Sequence, residues 1–443
     1  MATWLRLVWE QLNSSLWFLP GLMSLAAIVL ALVCARLDEL AGASTLNLGF
    51  LYHGTVESAR SLLSTVAGSM ITVAGVSFSV TMVALSLASS QLGPRLLVNF
   101  MRDRGNQVVL GGFIATFLFC LLALGSTPET PNRFVSVSAS VALLLAVVSL
   151  MLLIYFIHHI AASMQADHVI RAVAADVDLC LRSIFPDDGV EPDDPSPPEF
   201  RAGDASLSSE RTGYLQGIDE AGLMKVAVEH DLRLRVLRRP GHYLTRSIPL
   251  IQVAGRDVVD ADLARRIQRA FIVGGSRTAE QDPEFGIHQL VEIALRALSP
   301  GINDPFTATT CIDHLTGILC TVAAVPERPP LRWDGDGSAR LQLDAIDFEG
   351  VLDAAFNQIR QAAAGTASVS IRLLEALSFI AAATRHPERL AAVERQARMV
   401  YEANAERLIR ADRQALEARL ESLESQLEVS AKHGTAAGST PTA

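Results

Sequence analysis

Long uncharged stretches alternate with short polar connectors over the first 160 residues of the chain. The first stretch, residues 16–35, carries no charge, and at about 1.5 Å per residue it gives a helix of about 30 Å, the thickness of a hydrocarbon core. Three more stretches follow at residues 62–88, 108–125 and 134–157. Because none of them alternates as a barrel strand does, the pattern predicts four transmembrane helices.

A cleaved signal peptide is a second interpretation of the first stretch, because Val33-Cys34-Ala35 resembles a cleavage site. The apolar run is longer than a signal core, however, and further spans follow it. We therefore expect residues 16–35 to remain in the protein as a membrane span.

Arginines are distributed unevenly around the predicted spans, and arginine-rich loops tend to stay in the cytoplasm. The bias predicts a multi-pass protein of the cell inner membrane, with both termini and the 89–107 loop in the cytoplasm. The cytoplasmic set is Arg6, Arg95, Arg102, Arg104 and Arg171, and the opposite set is Arg36, Arg60 and Arg133.

The second predicted span carries small and hydroxyl side chains at steps of three, four or seven residues, which places them on one helix face. Such a face lets two helices pack closely in lipid, or it lines a polar pathway. No carboxylate, lysine or arginine lies within any predicted span, which argues against a proton-relay transporter. The face consists of Ser64, Gly68, Thr72, Gly75, Ser79 and Ser86.

A short basic segment follows this span. Gly93-Pro94 ends the helix, and the residues after it are amphipathic, which is typical of a helix lying on the membrane surface. In one interpretation Arg95, Arg102 and Arg104 face lipid phosphates. In the other they attract anions to a vestibule.

Behind the spans the composition becomes ordinary and acidic. The pattern predicts an α-helical integral membrane protein with four transmembrane helices, followed by a mixed α+β, mostly helical cytoplasmic domain. The predicted parts are the transmembrane domain 1–160, a helical extension 161–185, a linker rich in proline and aspartate 186–210, a small β-containing module 211–255, a mostly helical domain 256–428 and a disordered tail 429–443.

Local patterns in the cytoplasmic part predict individual elements. Strands are expected at residues 213–219, 232–237 and 243–253, a helix at 220–230, and a hairpin around 334–337. Three helices are expected after the hairpin, the last over 387–427. Its leucine seam either packs on the domain or joins two copies of the chain, and consists of Leu416, Leu420, Leu423 and Leu427.

The densest run of polar side chains lies at residues 274–308. Asp282-Pro283 and Asp304-Pro305 each combine an N-cap residue with proline at the first helical position, so helices should start there. His288 and Glu292 are one turn apart, as in a metal site, but no third and fourth ligand is spaced alongside. We expect a helix-packing or subunit interface, or a site for a small ligand or ion, formed by Arg277, Gln281, Asp282, His288, Glu292, Arg296, Asn303 and Asp304.

Composition argues against several classes of function. The net charge is −10 and there is no basic block, which argues against nucleic-acid binding. The five cysteines form neither a disulfide framework nor a zinc pattern. No hydrolytic triad, nucleotide fingerprint or complete metal set is present, so we expect no enzyme activity, no cofactor and no bound metal.

Several segments together resemble a bacterial family of predicted membrane proteins known as domain of unknown function 2254. They include Gly75-Val76-Ser77-Phe78-Ser79, Ser90-Gln91-Leu92-Gly93-Pro94-Arg95 and Gln281-Asp282-Pro283-Glu284-Phe285-Gly286, and the most specific is Ser299-Pro300-Gly301-Ile302-Asn303-Asp304-Pro305. The resemblance extends to about residue 425. It implies four spans with a cytoplasmic domain and brings no catalytic residues.

The leading hypothesis is a homo-oligomeric, channel-like or transport-related protein in a lipid membrane, with the cytoplasmic domain regulating the pathway. A membrane-anchored sensor or scaffold, binding a ligand or partner through residues 277–304, is the alternative. The third hypothesis, which has less support, is an enzyme that acts on a membrane substrate.

Overall fold

The computed structural model divides the chain into two units, Met1–His168 and Val169–Ala443. The residues it describes are 17–41, 52–93, 103–126, 134–163, 165–184, 199–201, 203–325, 330–344 and 346–437. Within them the chain forms thirteen helices, α1 to α13, and ten strands, β1 to β10.

Apolar helices dominate the first unit. All four of its long helices, by length and composition, could cross a membrane. Each contains most of one predicted apolar stretch. The helices are α1 (Phe18–Ala41), α2 (Val56–Leu92), α3 (Arg104–Gly125) and α4 (Val137–Ser163).

Helix α3 is the most buried of the four, because α1, α2 and α4 all pack against it. Two glycines permit this closeness. A Cβ added at Gly112 would lie 2.5 Å from Leu152 Cδ1 of α4, and one added at Gly111 would lie 3.0 Å from the Cα of Pro20 in α1. Glycine-mediated packing inside this unit therefore involves the third apolar helix.

A short antiparallel ribbon links the segments that precede α2 and α4. It pairs β1 (Tyr52–Gly54) with β2 (Phe134–Ser136), so the fourth apolar stretch begins as strand where helix was expected. The start of α4 is set by Asp38 of α1, whose carboxylate accepts hydrogen bonds from the backbone N–H of Val137 at 2.6 Å and of Ser138 at 3.3 Å. These N–H groups have no partner within the helix, and a carboxylate satisfies them well.

The second unit contains most of α5 (Ala166–Ile184), an amphipathic helix. Val173, Val177 and Leu181 are buried on one of its faces, at the spacing of a single helical stripe. The 3.6-residue pattern of apolar positions thus decides which side of α5 turns inward.

Two sheets form the β-structure of this unit. The larger has the strand order β3-β7-β5-β10-β9 and the smaller has the order β6-β4-β8. Leu234, Ile251 and Leu341 are fully buried in the core they share with α6 (Glu220–Glu229) and α7 (Ala261–Gln268). The strands are Ala205–Ser208 (β3), Gly213–Ile218 (β4), Leu234–Val236 (β5), Tyr243–Leu244 (β6), Pro249–Val253 (β7), Phe271–Gly274 (β8), Leu331–Trp333 (β9) and Ala339–Gln342 (β10).

The sheets differ from the sequence expectation in their extent. The stretch predicted as one strand, 243–253, forms β6 and β7 in different sheets. Strand β3 lies within the predicted linker, and β8, β9 and β10 lie beyond the predicted module boundary at residue 255. Local patterns do not encode pairing between distant strands, which is why the predicted module is shorter than the observed sheets.

Six helices complete the second unit. Asp282 and Asp304 are the N-caps of α8 and α9, each with proline in the first turn, as predicted. The region predicted as one helix over 387–427 is two helices separated by a turn, so four helices follow the hairpin. The helices are α8 (Pro283–Ala297), α9 (Pro305–Ala324), α10 (Phe348–Ala362), α11 (Ala367–Ala382), α12 (Pro387–Asn404) and α13 (Arg410–Ala437).

Helix α13 bears on two further expectations. It continues to Ala437, into the segment predicted to be disordered, 429–443. Leu416, Leu423 and Leu427 are buried, and the helix packs against α11 and α12. This part of the leucine seam is therefore covered within the chain.

Helix α9 is the fifth helix in the described residues that is long and apolar enough to cross a membrane. Half of its apolar window is buried within the unit, including Cys311, Leu315 and Leu319. Helices α8 and α11 pack against it. Much of the apolar surface of α9 is thus accounted for by its own unit.

Candidate functional site

The hydroxyl and glycine face of α2 points away from the described remainder of its unit. A Cβ built on Gly68 or Gly75 would meet no atom within 4 Å, so no described part of the chain packs against these glycines. The structure brings the six predicted residues onto one face and leaves that face open. All six are exposed: Ser64, Gly68, Thr72, Gly75, Ser79 and Ser86.

Alanines form the opposite, buried side of α2. Ala59, Ala67 and Ala74 are at most 6% exposed, and Leu63 joins a core that includes Phe119 of α3. Small side chains allow close helix packing in lipid. Among the described residues, the packing of α2 therefore uses this alanine side, and Gly68 and Gly75 take no part in it.

Hydroxyl groups on the open side of α2 bond to the helix itself. Thr72 Oγ1 donates to the carbonyl of Gly68 at 2.9 Å, and Ser69 Oγ donates to the carbonyl of Thr65 at 2.6 Å. This satisfies each hydroxyl hydrogen without a neighbouring helix, so the groups can face lipid at little cost. The oxygen lone pairs stay available to water, a cation or another helix.

The predicted basic loop is described only in part. Arg104 is exposed and is the first residue of α3, directly after its N-cap Asp103. Arg95 and Arg102 lie outside the described residues. The two interpretations of this loop therefore stay predictions.

Arg277 and Asp282 form the centre of the predicted polar site in the second unit. Arg277 donates from Nε to Asp282 Oδ2 at 2.7 Å and from Nη2 to Oδ1 at 2.8 Å. Asp282 also accepts the backbone N–H of Phe285 and so caps α8. Burial acts to lower the pKa of Arg277, but the hydrogen bond and charge of Asp282 outweigh it and raise that pKa. The arginine therefore stays charged.

Further ion pairs surround this centre. Arg239 donates to Glu284 Oε1 at 2.7 Å and lies 3.7 Å from a carboxylate oxygen of Asp344. Burial, and then Arg239, lower the pKa of the His242 imidazole, so it is neutral at pH 7. The charges of this cluster are paired with one another, which favours a structural role for it.

Backbone contacts hold the same cluster in place. The Gln281 side chain accepts the backbone N–H of Ile218 at 2.8 Å and donates to the carbonyl of Ile218 at 3.3 Å, as a neighbouring strand would. Gly241 has a φ of +94°, and a Cβ there would lie 2.4 Å from Asp282 Oδ2. Only glycine fits beside this carboxylate.

The remaining predicted residues lie on α8 and at the start of α9. His288, Glu292 and Arg296 are half-buried on α8, where Arg296 Nη2 donates to Glu292 Oε1 at 3.4 Å. Asp304 accepts the backbone N–H groups of Phe306 and Thr307, both at 3.1 Å. Asn303 precedes it, exposed and with a φ of +50°.

Metal and thiol chemistry have little support in these parts of the chain. Across the described ranges, no three side chains among histidine, cysteine, aspartate and glutamate are grouped so as to hold a metal ion. Burial, and then the charge of Asp282, raise the pKa of the Cys180 thiol to about 12. Because the thiolate is the reactive form, Cys180 is inert at neutral pH.

Sequence reasoning missed a polar cluster at one end of the first unit. His159 Nε2 lies 2.6 Å from Asp103 Oδ2, across 56 residues of sequence. The available signal was Asp103 in an N-cap position before an apolar helix, but local patterns cannot pair it with a distant histidine.

Comparison with known proteins agrees with the family suggested by the sequence motifs. The family model described as "Predicted membrane protein (DUF2254)" matches residues 13–378. Uncharacterised proteins of Mycobacterium bovis and Mycobacterium tuberculosis are each 31% identical over 406 residues, which is 90% of this chain and 78% of the relative. No solved structure matches the chain. The chain therefore belongs to the DUF2254 family of predicted membrane proteins, whose function is unknown.

Proposed function

We propose that the protein is a homo-oligomeric, channel-like membrane protein in which the open face of α2 borders a pathway for an ion or small solute. The observation that carries the proposal is the position of this face. Its glycines and hydroxyls are exposed, whereas the alanine side of the same helix makes the contacts within the chain.

Four helices, α1 to α4, cross the membrane in this proposal. The fifth apolar helix, α9, stays outside, because half of its apolar window is already buried by its own unit. The arginine bias then places both termini and the second unit in the cytoplasm. There the second unit regulates the pathway.

A second copy of the chain is the proposed partner for α2. Gly68 and Gly75 leave room for a neighbouring backbone, and close packing is a main source of helix association in lipid. Where copies meet, hydroxyls such as those of Thr72 and Ser79 supply a polar lining without any charged group. The same surface can thus serve association and conduction.

A sensor or scaffold role for residues 277–304 is the second candidate. The charged groups there are paired with each other, which argues against a charged ligand among them. The loop before α9 and the first turn of that helix favour the idea of a protein partner, because Ile302 and Phe306 are 47% and 84% exposed. Replacing Phe306 with serine should then abolish partner capture while leaving the thermal stability nearly unchanged.

Ion flux through proteoliposomes tests the leading proposal. Full-length protein should release trapped K⁺ or Cl⁻, and Gly75→Leu should reduce this flux at least tenfold. Val80→Leu is the matched control, since Val80 lies on the same helix, is 43% exposed and is not three, four or seven residues from any member of the glycine face. Absence of flux from the wild type, or equal flux from Gly75→Leu and Val80→Leu, would refute the proposal.

A further inference from the structure

The cluster at one end of the first unit links the start of α3 to the end of α4. Asp103 accepts the backbone N–H of Gly105 at 2.8 Å as the N-cap of α3, and its other oxygen lies 2.6 Å from His159 Nε2 of α4. The two side chains are only 19% and 23% exposed. One carboxylate therefore serves both a helix cap and a contact between helices.

Neighbouring groups fix the position of the imidazole. The ring of Tyr155 stacks on that of His159 with centroids 5.1 Å apart, and its hydroxyl lies 3.3 Å from His159 Nδ1. A Cβ at residue 105 would lie 2.7 Å from His159 Nε2 and 2.9 Å from the Tyr155 hydroxyl oxygen, so Gly105 makes room for both rings. Such close fit on several sides holds the pair in one geometry.

A buried amide lies beside the pair. Asn106 is 7% exposed, and its Nδ2 donates to Asp103 Oδ2 at 3.4 Å. Its Oδ1 is buried and has no hydrogen-bond partner among the described residues. An uncompensated buried acceptor next to a carboxylate gives the site an excess of negative potential, which attracts positive charge.

We propose that Asp103 and His159 form a proton-operated clamp between α3 and α4. With a neutral imidazole, Nε2–H donates to Asp103 and the Tyr155 hydroxyl donates to Nδ1. When His159 takes up a proton, the same contact becomes an imidazolium–carboxylate ion pair, and the Tyr155 oxygen accepts from Nδ1–H. Both states satisfy the ring nitrogens, so proton uptake strengthens the clamp without rearranging it.

The charged and titratable groups of the surrounding helices lie at two ends of the unit. The charges of α1 and α2 lie at the opposite end of the unit, where Asp38 meets the start of α4 and Tyr52 of β1 pairs with Ser136. At the clamp, α3 contributes Arg104 beside Asp103, and α4 contributes His158 and Tyr155. In the first turn of α5, which follows α4, the titratable residues are Asp167 and His168.

The sign of the pH effect follows from the charges. The ion-pair attraction exists only while His159 is protonated, so its stabilisation is present at low pH. It disappears as the pH rises and His159 loses that proton. The clamp is therefore tighter at pH 6 than at pH 8.

Thermal unfolding of the full-length protein in nanodiscs, at pH 6 and pH 8, tests the clamp. Relative to the His158→Gln control, His159→Gln should lose about 2–4 °C of the stabilisation gained at pH 6. Asp103→Asn should lose the same increment, although asparagine still caps the helix. If both variants keep the pH response of the control, the proposal is wrong.

Hydrogen exchange gives a second measurement that does not depend on these variants folding normally. In the wild-type protein, amides in the first turns of α3 should exchange more slowly at pH 6 than at pH 8, after correction for the intrinsic rate. Amides at the start of α4, which Asp38 caps, serve as the internal reference. Equal protection of the α3 amides at both pH values would also overturn the proposal.

Discussion

Gly241 offers a sharp test of how the polar cluster in the second unit is built. Its φ of +94° lies in the left-handed region, and a Cβ there would lie 2.4 Å from Asp282 Oδ2 and 2.7 Å from Asp282 Cγ. Alanine would meet two penalties, the backbone conformation and the displaced carboxylate. Displacing the carboxylate would disturb two further contacts, because Asp282 both binds Arg277 and caps α8.

These contacts set the loss of folding stability expected for Gly241→Ala. A non-glycine residue in the left-handed region costs about 1–2 kcal/mol. Disturbing the hydrogen-bonded ion pair adds about 2–3 kcal/mol, since Asp282 is buried and would lose charged partners. Gly241→Ala should therefore destabilise the second unit by about 3–5 kcal/mol. For a unit of this size that is a fall in Tm of roughly 10 °C.

Gly255→Ala is the matched control. Gly255 also has a positive φ, +70°, but nothing lies within 4 Å of an added Cβ. Only the conformational penalty applies, so its Tm should fall by about 2–6 °C. Circular dichroism during heating, on the detergent-solubilised full-length protein, measures both variants. Equal losses for Gly241→Ala and Gly255→Ala would refute the role assigned to Asp282.

Three other variants test contacts that set the fold. Asp38→Ala should destabilise the first unit by about 1–3 kcal/mol, because the N-terminus of α4 loses the carboxylate that accepts its N–H groups. The control Glu39→Ala, at the exposed neighbouring residue, should change the stability of this unit by less than about 0.5 kcal/mol in the same melts. Gly112→Ala should cost about 1–3 kcal/mol through collision with α4, and Gly125→Ala, with open space around it, should be nearly neutral. The hydroxyl of Thr307, and then backbone N–H groups, hold the pKa of Asp304 below its usual value, so its stabilisation is present above about pH 4 and is lost on further acidification. Asp304→Asn should flatten the melting temperature between pH 5 and pH 3, and an unchanged acid slope would contradict this.

Local signals in the sequence were enough to predict several helices and the residues at which two of them start. Apolar length located α1 to α4, and the Asp-Pro pairs at 282–283 and 304–305 located the starts of α8 and α9. These features depend on a few neighbouring residues. Steric and hydrogen-bonding rules act at that range, so a single sequence displays them directly.

Local sequence signals do not predict contacts between residues that are distant along the chain. The sequence does not distinguish Asp38 from the other acidic residues, whereas in the structure its carboxylate accepts the backbone N–H of Val137. Nor does the sequence predict that strand β10 pairs with β5. The glycines of α2 show a related limit. Periodicity put Gly68 and Gly75 on one face, but only the structure shows that the chain packs α2 through its alanines.

Disulfide cross-linking in native membranes most directly tests the claim that copies of the chain meet at the open face of α2. Cysteine would be introduced at Gly75, with Cys320→Ser as background because Cys320 is the one cysteine in the described residues that is not buried. The account predicts a cross-linked species of twice the subunit mass for Gly75→Cys. It predicts none for Leu144→Cys, at a position on α4 that is 63% exposed. Cross-linking of Leu144→Cys but not of Gly75→Cys would contradict it.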